Sequence, residues 1–191
     1  MFKILITDDD GDLRELLEEA VRSWGYIVDV ARDGEDALRK VRKEKFDVVI
    51  SDLMMPVMDG LELLERLKEL DHDILVIIVT GYATIDTAVK AIESGAYDYI
   101  TKPFRLDELM IVLKNACERL KLTVQNRNLL EELRDAYAEI ESLNMALERA
   151  GAGGGKGGGR GGSEAVDRSK QQGYLKEADR VIGKKPKFGS G

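Results

Sequence analysis

Residues 46–60 read Phe-Asp-Val-Val-Ile-Ser-Asp-Leu-Met-Met-Pro-Val-Met-Asp-Gly. The apolar run Val48, Val49 and Ile50 carries the carboxylate of Asp52 at its C-terminal end, and Pro56 and Gly60 then force a turn before a helical pattern resumes. A short β-branched run bounded by turn residues reads as a buried parallel strand. In open α/β sheets ligands gather beyond the carboxyl ends of the strands, which puts Asp52 where chemistry is usually done.

The same unit recurs on both sides of this stretch. Phe2 to Thr7 reads as a first strand, running into Asp8-Asp9-Asp10-Gly11, and Leu13, Leu16, Leu17, Ala20, Val21 and Trp24 follow at helical spacing up to Gly25. Tyr26 to Ala31 is a second strand, and Ala37, Leu38 and Val41 mark the helix before the strand that ends at Asp52. Leu61, Leu63, Leu64 and Leu67 give a third helix. Ile74 to Val79 is a fourth strand, followed by Thr80-Gly81, and Ile85, Ala88, Val89 and Ile92 make a helix stopped by Gly95. Tyr97 to Thr101 is a fifth strand, followed by Lys102-Pro103, and a fifth helix starts near Leu106. Strands alternating with helices in units of about 25 residues imply an α/β fold with a parallel sheet covered on both faces. Right-handed crossovers make the flavodoxin-like strand order 2-1-3-4-5 the expected topology.

The chain has 191 residues, 43% of them hydrophobic and 34% charged, as expected of a globular protein with a long polar surface. A single cysteine, Cys117, excludes an internal disulfide framework. The apolar start is too short for a signal peptide, and no run is long enough to span a bilayer, so a cytoplasmic location without membrane attachment is expected. Residues 151–191 carry nine Lys/Arg against four Asp/Glu, so the acidity behind the net charge of −7 lies in residues 1–150. An acidic body argues against direct DNA binding through that part.

The strand ends supply Asp8 and Asp9, Asp52, Thr80 and Lys102, from strands that are neighbours in the expected order. Carboxylates brought together repel one another unless a hard cation neutralises them, and oxygen-only ligands suit Mg²⁺. A hydroxyl and an ammonium on the other side would bind the oxygens of an incoming phosphoryl group. A central carboxylate between the two is then a nucleophile for phosphoryl transfer, ionised without a separate base. Taken singly, Asp52 is an ordinary turn former, Thr80 a helix cap and Lys102 a solvated surface residue. Their placement at the same end of different strands makes that reading improbable.

Residues 2–120 resemble the receiver domain of two-component response regulators. The resemblance rests on Ile-Leu-Ile-Thr-Asp-Asp-Asp, Ser-Asp-Leu-Met-Met-Pro-Val-Met-Asp-Gly, Val-Thr-Gly-Tyr and Gly-Ala-Tyr-Asp-Tyr-Ile-Thr-Lys-Pro-Phe, the last most similar to receivers of the nitrogen-regulation type. It implies that Asp52 is the phosphoacceptor, loaded by a histidine kinase or phosphotransfer protein. It makes Asp9 a direct Mg²⁺ ligand, Asp8 a ligand through water, and the Met54 carbonyl a further ligand. Thr80 and Lys102 would contact the phosphoryl oxygens, the Lys102-Pro103 bond would be cis, and Thr80 and Tyr99 would form a switch pair, the ring turning inward as the hydroxyl moves. Met54 and Tyr82 would tune dephosphorylation. A Met cannot position water by hydrogen bonding, so slow self-dephosphorylation is expected of a chain that is not otherwise a conventional enzyme. Two departures stand out: Thr7 occupies a commonly aliphatic position, and Asp10 extends the acidic pair, as a helix N-terminal residue.

Two other readings compete. A haloacid-dehalogenase-like phosphatase would need Thr or Val where Asp12 stands, and an acidic metal pair following a further strand after Lys102, which the chain lacks. A receiver-fold scaffold that only docks would share the fold without taking phosphate.

Beyond the receiver (1–121), Leu122, Leu129, Ala136, Leu143 and Ala150 repeat every seven residues, offset from Leu133, Ile140 and Leu147. This heptad seam, with Asn126 at an a position, suggests a coiled-coil extension over 122–150 that forms a parallel homodimer or docks on a partner's coiled coil. Residues 151–162 read as a Gly-rich linker. They do not form a phosphate loop, because Ala150 and Gly157 stand where a Gly and a Ser/Thr are required. Residues 163–191 read as a basic, disordered tail, with a docking peptide or localisation signal as the alternative, and they are too few for a DNA-binding or ATPase output domain. The expectation is a stand-alone regulator with protein–protein output through its fourth helix, fifth strand and fifth helix.

Overall fold

Strands β1 (Lys3–Thr7), β2 (Ile27–Ala31), β3 (Val48–Asp52), β4 (Leu75–Thr80) and β5 (Asp98–Thr101) alternate with helices α1 (Gly11–Ser23), α2 (Gly34–Val41), α3 (Gly60–Leu70), α4 (Ile85–Glu93) and α5 (Leu106–Ala152) in a computed structural model that describes residues 1–152. All pairings are parallel and the sheet order is β2-β1-β3-β4-β5, as the sequence pattern predicts.

The period-2 alternation of the strands divides the core in two. Leu5, Val49, Val76 and Ile78 face Leu38 of α2, Leu63, Leu64 and Leu67 of α3, and Ala91 of α4. Their neighbours Ile4, Ile6, Ile50, Ile77 and Val79 face Leu17 and Val21 of α1 and Leu109, Leu113 and Ala116 of α5. Burying each such aliphatic side chain contributes about 1.5–3 kcal/mol, so the central strands are held from both faces.

Short polar side chains start the helices. Asp10 caps α1 by accepting from the amides of Asp12 and Leu13, the role expected of it, while Asp33 and Asp59 cap α2 and α3. Thr84 and Thr87 close a reciprocal capping box on α4. Gly25 and Gly95, both at φ +89°, turn the chain after α1 and α4, where a side chain would be strained.

The strand boundaries differ from the sequence reading by a residue at most. β4 extends through Thr80 because that residue pairs in register with Thr101 of β5. The contacts divide the chain after Lys121, and α5 continues two residues into the stretch read as linker. The rest of that linker and the basic tail lie outside the described residues. Among the described residues no helix is long and apolar enough to cross a membrane.

Candidate functional site

β1 and β3 end side by side, Thr7 opposite Ser51, and so deliver Asp8 and Asp52 to one edge of the sheet. Both carboxylates are buried, at 2% and 8% exposure, whereas Asp9 is exposed. One oxygen from each of Asp8, Asp9 and Asp52 lies within 4.8 Å of the others. Lys102, just beyond β5, reaches back between two of them, its Nζ donating to Asp8 Oδ2 at 2.8 Å and to Asp52 Oδ2 at 2.9 Å.

Burial pushes the Asp8 carboxyl above the usual carboxylate range, against the pull of its hydrogen bonds from Lys102 and from the Asp10 amide. For Lys102 burial acts against the charge. The bonds to Asp8 and Asp52 outweigh it and hold the ammonium above the ordinary lysine value. The cluster therefore keeps its cation, which offsets part of the charge of the acids.

The backbone around Asp52 is tightly specified. The Met54 amide donates to Asp52 Oδ1 at 3.3 Å, while the Met54 side chain is exposed. The Gly60 amide donates to the Leu53 carbonyl at 2.8 Å. A methyl group on Gly60 would overlap the Asp52 carbonyl oxygen and stand 2.9 Å from Leu53 Cα, so only glycine lets α3 begin this close to β3. Between them Val57 is held at φ 71°, a left-handed conformation in which a β-branched side chain is strained.

Thr80 is fully buried at the end of β4, where its Oγ1 accepts from the Tyr82 amide at 3.1 Å and its carbonyl accepts from the Lys102 amide at 2.7 Å. Tyr82 itself is exposed. The Lys102-Pro103 bond is cis, as the resemblance implied. Tyr99 is not in the acidic cluster. Half-buried against the α3/α4 side of the core, it meets Thr87 Oγ1 with its hydroxyl at 2.9 Å.

Asp8, Asp9, Asp52 and Lys102 are thus drawn together from three loops, with Thr80 beside Lys102 along the backbone. Two contacts were not read from the sequence. Arg14 donates from Nη1 to the Asp8 carbonyl at 2.6 Å, bracing the acidic loop from the first turns of α1. Thr87 holds the Tyr99 hydroxyl. Both are contacts between residues whose spacing carries no pattern.

The cluster offers only oxygen donors of net negative charge, which fits a hard divalent cation such as Mg²⁺. The Lys102 ammonium beside Asp52 and the Thr80 hydroxyl at the end of β4 are groups that suit phosphoryl oxygens.

The response regulator receiver domain family matches residues 4–114. The transcriptional regulatory protein ZraR of Klebsiella oxytoca is 42% identical over 120 residues, covering 63% of this chain and 27% of that protein. The chain thus spans about a quarter of the length of the curated relatives it matches. A response regulator receiver domain protein from Clostridium thermocellum superposes with a TM-score of 0.62 at 32% identity, covering 64% of this chain and 99% of that one. NtrX from Brucella abortus does so with 0.64 at 34% identity, covering 68% and 30%. With fold, strand-end acids and motif-bearing loops in agreement with this match, the chain belongs to the receiver domain family of two-component response regulators.

Proposed function

We propose that Asp52 accepts a phosphoryl group from a phosphohistidine donor, a histidine kinase or a phosphotransfer protein. The observation that carries this reading is the bond from Lys102 Nζ to Asp52 Oδ2 at 2.9 Å, on a carboxylate that also shares a cluster with Asp8 and Asp9. An oxygen of Asp52 attacks phosphorus, the phosphorus–nitrogen bond of the donor breaks, and the imidazole leaves with the electron pair. Lys102 balances charge gathering on the phosphoryl oxygens. Thr80 Oγ1 already accepts from the Tyr82 amide, which leaves its own proton to donate to one of those oxygens.

Asp8, Asp9, Asp52 and the Met54 carbonyl would hold Mg²⁺, which when bound supplies charge neutralisation at the transferred group. Met54 and Tyr82 flank the acceptor. Without a hydrogen bond from Met54 to position water, the acyl phosphate should outlast about a minute in Mg²⁺ buffer, and a shorter life counts against this role.

Tyr99 and Thr80 act as the switch pair, and output passes by protein–protein contact through α4, β5 and α5. Residues 1–121 form the receiver, 122–150 a homodimeric coiled coil, and the protein works in the cytoplasm. The acidity of residues 1–150 argues against DNA contact through the receiver itself.

The test is incubation with acetyl phosphate and Mg²⁺, followed by intact mass. Wild-type protein should gain one phosphoryl group and Asp52→Asn none. An unmodified wild type would overturn the proposal in favour of a docking scaffold.

A further inference from the structure

An acyl phosphate on Asp52 ends when water reaches its phosphorus, so the side chains that solvent passes on the way set how long it lasts. Leu53 is buried, and the first exposed side chain beyond the acceptor is that of Met54. The Met54 amide donates to Asp52 Oδ1 at 3.3 Å, which holds residue 54 against the acceptor carboxylate, while the thioether side chain stands 53% exposed.

The six methionines of the chain differ in what reaches them. Met55 and Met58, on the same loop, are only 9% exposed and pack into the core with Leu53, Leu63 and Leu64. Met1, Met110 and Met145 are open to solvent but belong to the N-terminus and to α5. Among the six, Met54 alone joins an open sulfur to a backbone bond on a carboxylate of the site.

An open thioether is a two-electron reductant for peroxide. Its sulfur attacks one oxygen of hydrogen peroxide, the sulfur–oxygen bond forms as the oxygen–oxygen bond breaks, and the departing hydroxide takes the remaining proton to leave as water. The sulfoxide has nearly the length of the thioether and the opposite character. A thioether sulfur is a weak acceptor, whereas the sulfoxide oxygen is a polar one. A water that donates one hydrogen to that oxygen keeps a lone pair free for phosphorus. As it attacks, the bond from phosphorus to the Asp52 oxygen breaks, the carboxylate keeps the electron pair, and inorganic phosphate leaves while one proton passes to solvent.

We propose that Met54 is an oxidation site through which peroxide shortens the life of the acyl phosphate on Asp52, and from which a methionine sulfoxide reductase restores it. This rests on the reading of Asp52 as phosphoacceptor. Oxidant then acts on how long the phosphorylated state lasts, through a side chain outside the cluster of Asp8, Asp9 and Lys102.

The test treats the full-length chain with hydrogen peroxide, removes the peroxide, loads the protein from acetyl phosphate with Mg²⁺, and follows loss of the phosphoryl group by intact mass once the donor is gone. Peptide mass locates the added oxygens, and Cys117 adds little background because burial pushes its thiol up to about 11. Oxidation at Met54 should cut the half-life about fivefold, the worth of one hydrogen bond to the attacking water, and sulfoxide reductase should return it. Met54→Leu meets the same peroxide at Met1, Met110 and Met145 and should keep its own half-life through the treatment. Met54→Gln, with a permanent amide acceptor, should be short-lived without peroxide. An unchanged half-life with Met54 oxidised overturns the proposal. So do equal shortening in Met54→Leu, a long-lived Met54→Gln, or a Met54 that stays reduced while Met110 and Met145 oxidise. Protein that gains no phosphoryl group before any peroxide is added overturns the reading of Asp52 and this proposal with it, and the missing mass tells that failure from a failure at Met54.

Discussion

Thr7 carries a hydroxyl into the end of β1, fully buried, and finds no hydrogen-bond partner for it among the described residues. A buried unsatisfied group costs about 1–3 kcal/mol, so Thr7→Val should raise stability by roughly that amount in urea denaturation. An unaltered midpoint would mean that the hydroxyl is satisfied in solution. Thr87 is the opposite case. Its Oγ1 accepts from the Thr84 amide at 3.0 Å, is placed to donate to the Thr84 carbonyl at 3.0 Å, and lies within hydrogen-bond reach of both the Thr84 hydroxyl at 3.0 Å and the Tyr99 hydroxyl at 2.9 Å. Tyr99→Phe removes one bond of about 1 kcal/mol that holds the ring in place. If the proposed switch operates, that variant should take phosphate from limiting acetyl phosphate up to about fivefold more readily, and equal uptake would show that the bond does not restrain the ring. The acids and Lys102 were legible in the sequence because each follows a strand, and topology alone then gathers them. Thr87 and Arg14 were not, since nothing in helical spacing announces a bond to a distant tyrosine or to a loop carbonyl.

Strands were legible to within a residue and helices by their period, and capping residues mark several of the helix boundaries: Asp10 before α1, Asp59 before α3, Gly95 after α4. How closely two elements approach was not legible. Pro56 and Gly60 mark a turn, but nothing in the sequence says that α3 starts against the backbone of Asp52. Gly60→Ala must push α3 away or bend the end of β3, at an expected cost of about 1–3 kcal/mol. Thermal denaturation measures that cost, and acetyl phosphate uptake should fall with it because the acceptor itself is displaced. A stable variant with normal uptake would show that the approach relaxes without moving Asp52. Val57 gives the converse expectation. Val57→Gly removes the strain of φ 71° and should leave stability unchanged or raise it, although glycine loosens the unfolded chain.

For the whole molecule, strand order followed from the alternation of elements and the handedness of crossovers, and the heptad seam from its repeat. The contacts divide the chain after Lys121, so residues 1–121 alone should fold, take phosphate on Asp52 and sediment as a monomer. A dimer of that truncation would place the interface on the receiver instead of the seam. The ammonium of Lys102, lodged between Asp8 and Asp52, has one more consequence. Many small metal-binding domains collapse when stripped, because only the ion reconciles their ligands. Here a covalently tethered cation already does so for two of the three acids. Chelator should therefore leave the melting temperature nearly unchanged while abolishing phosphate uptake. With Mg²⁺ bound there as proposed, such a protein waits folded through a shortage of the ion, ready but silent, and its readiness is separate from its answer.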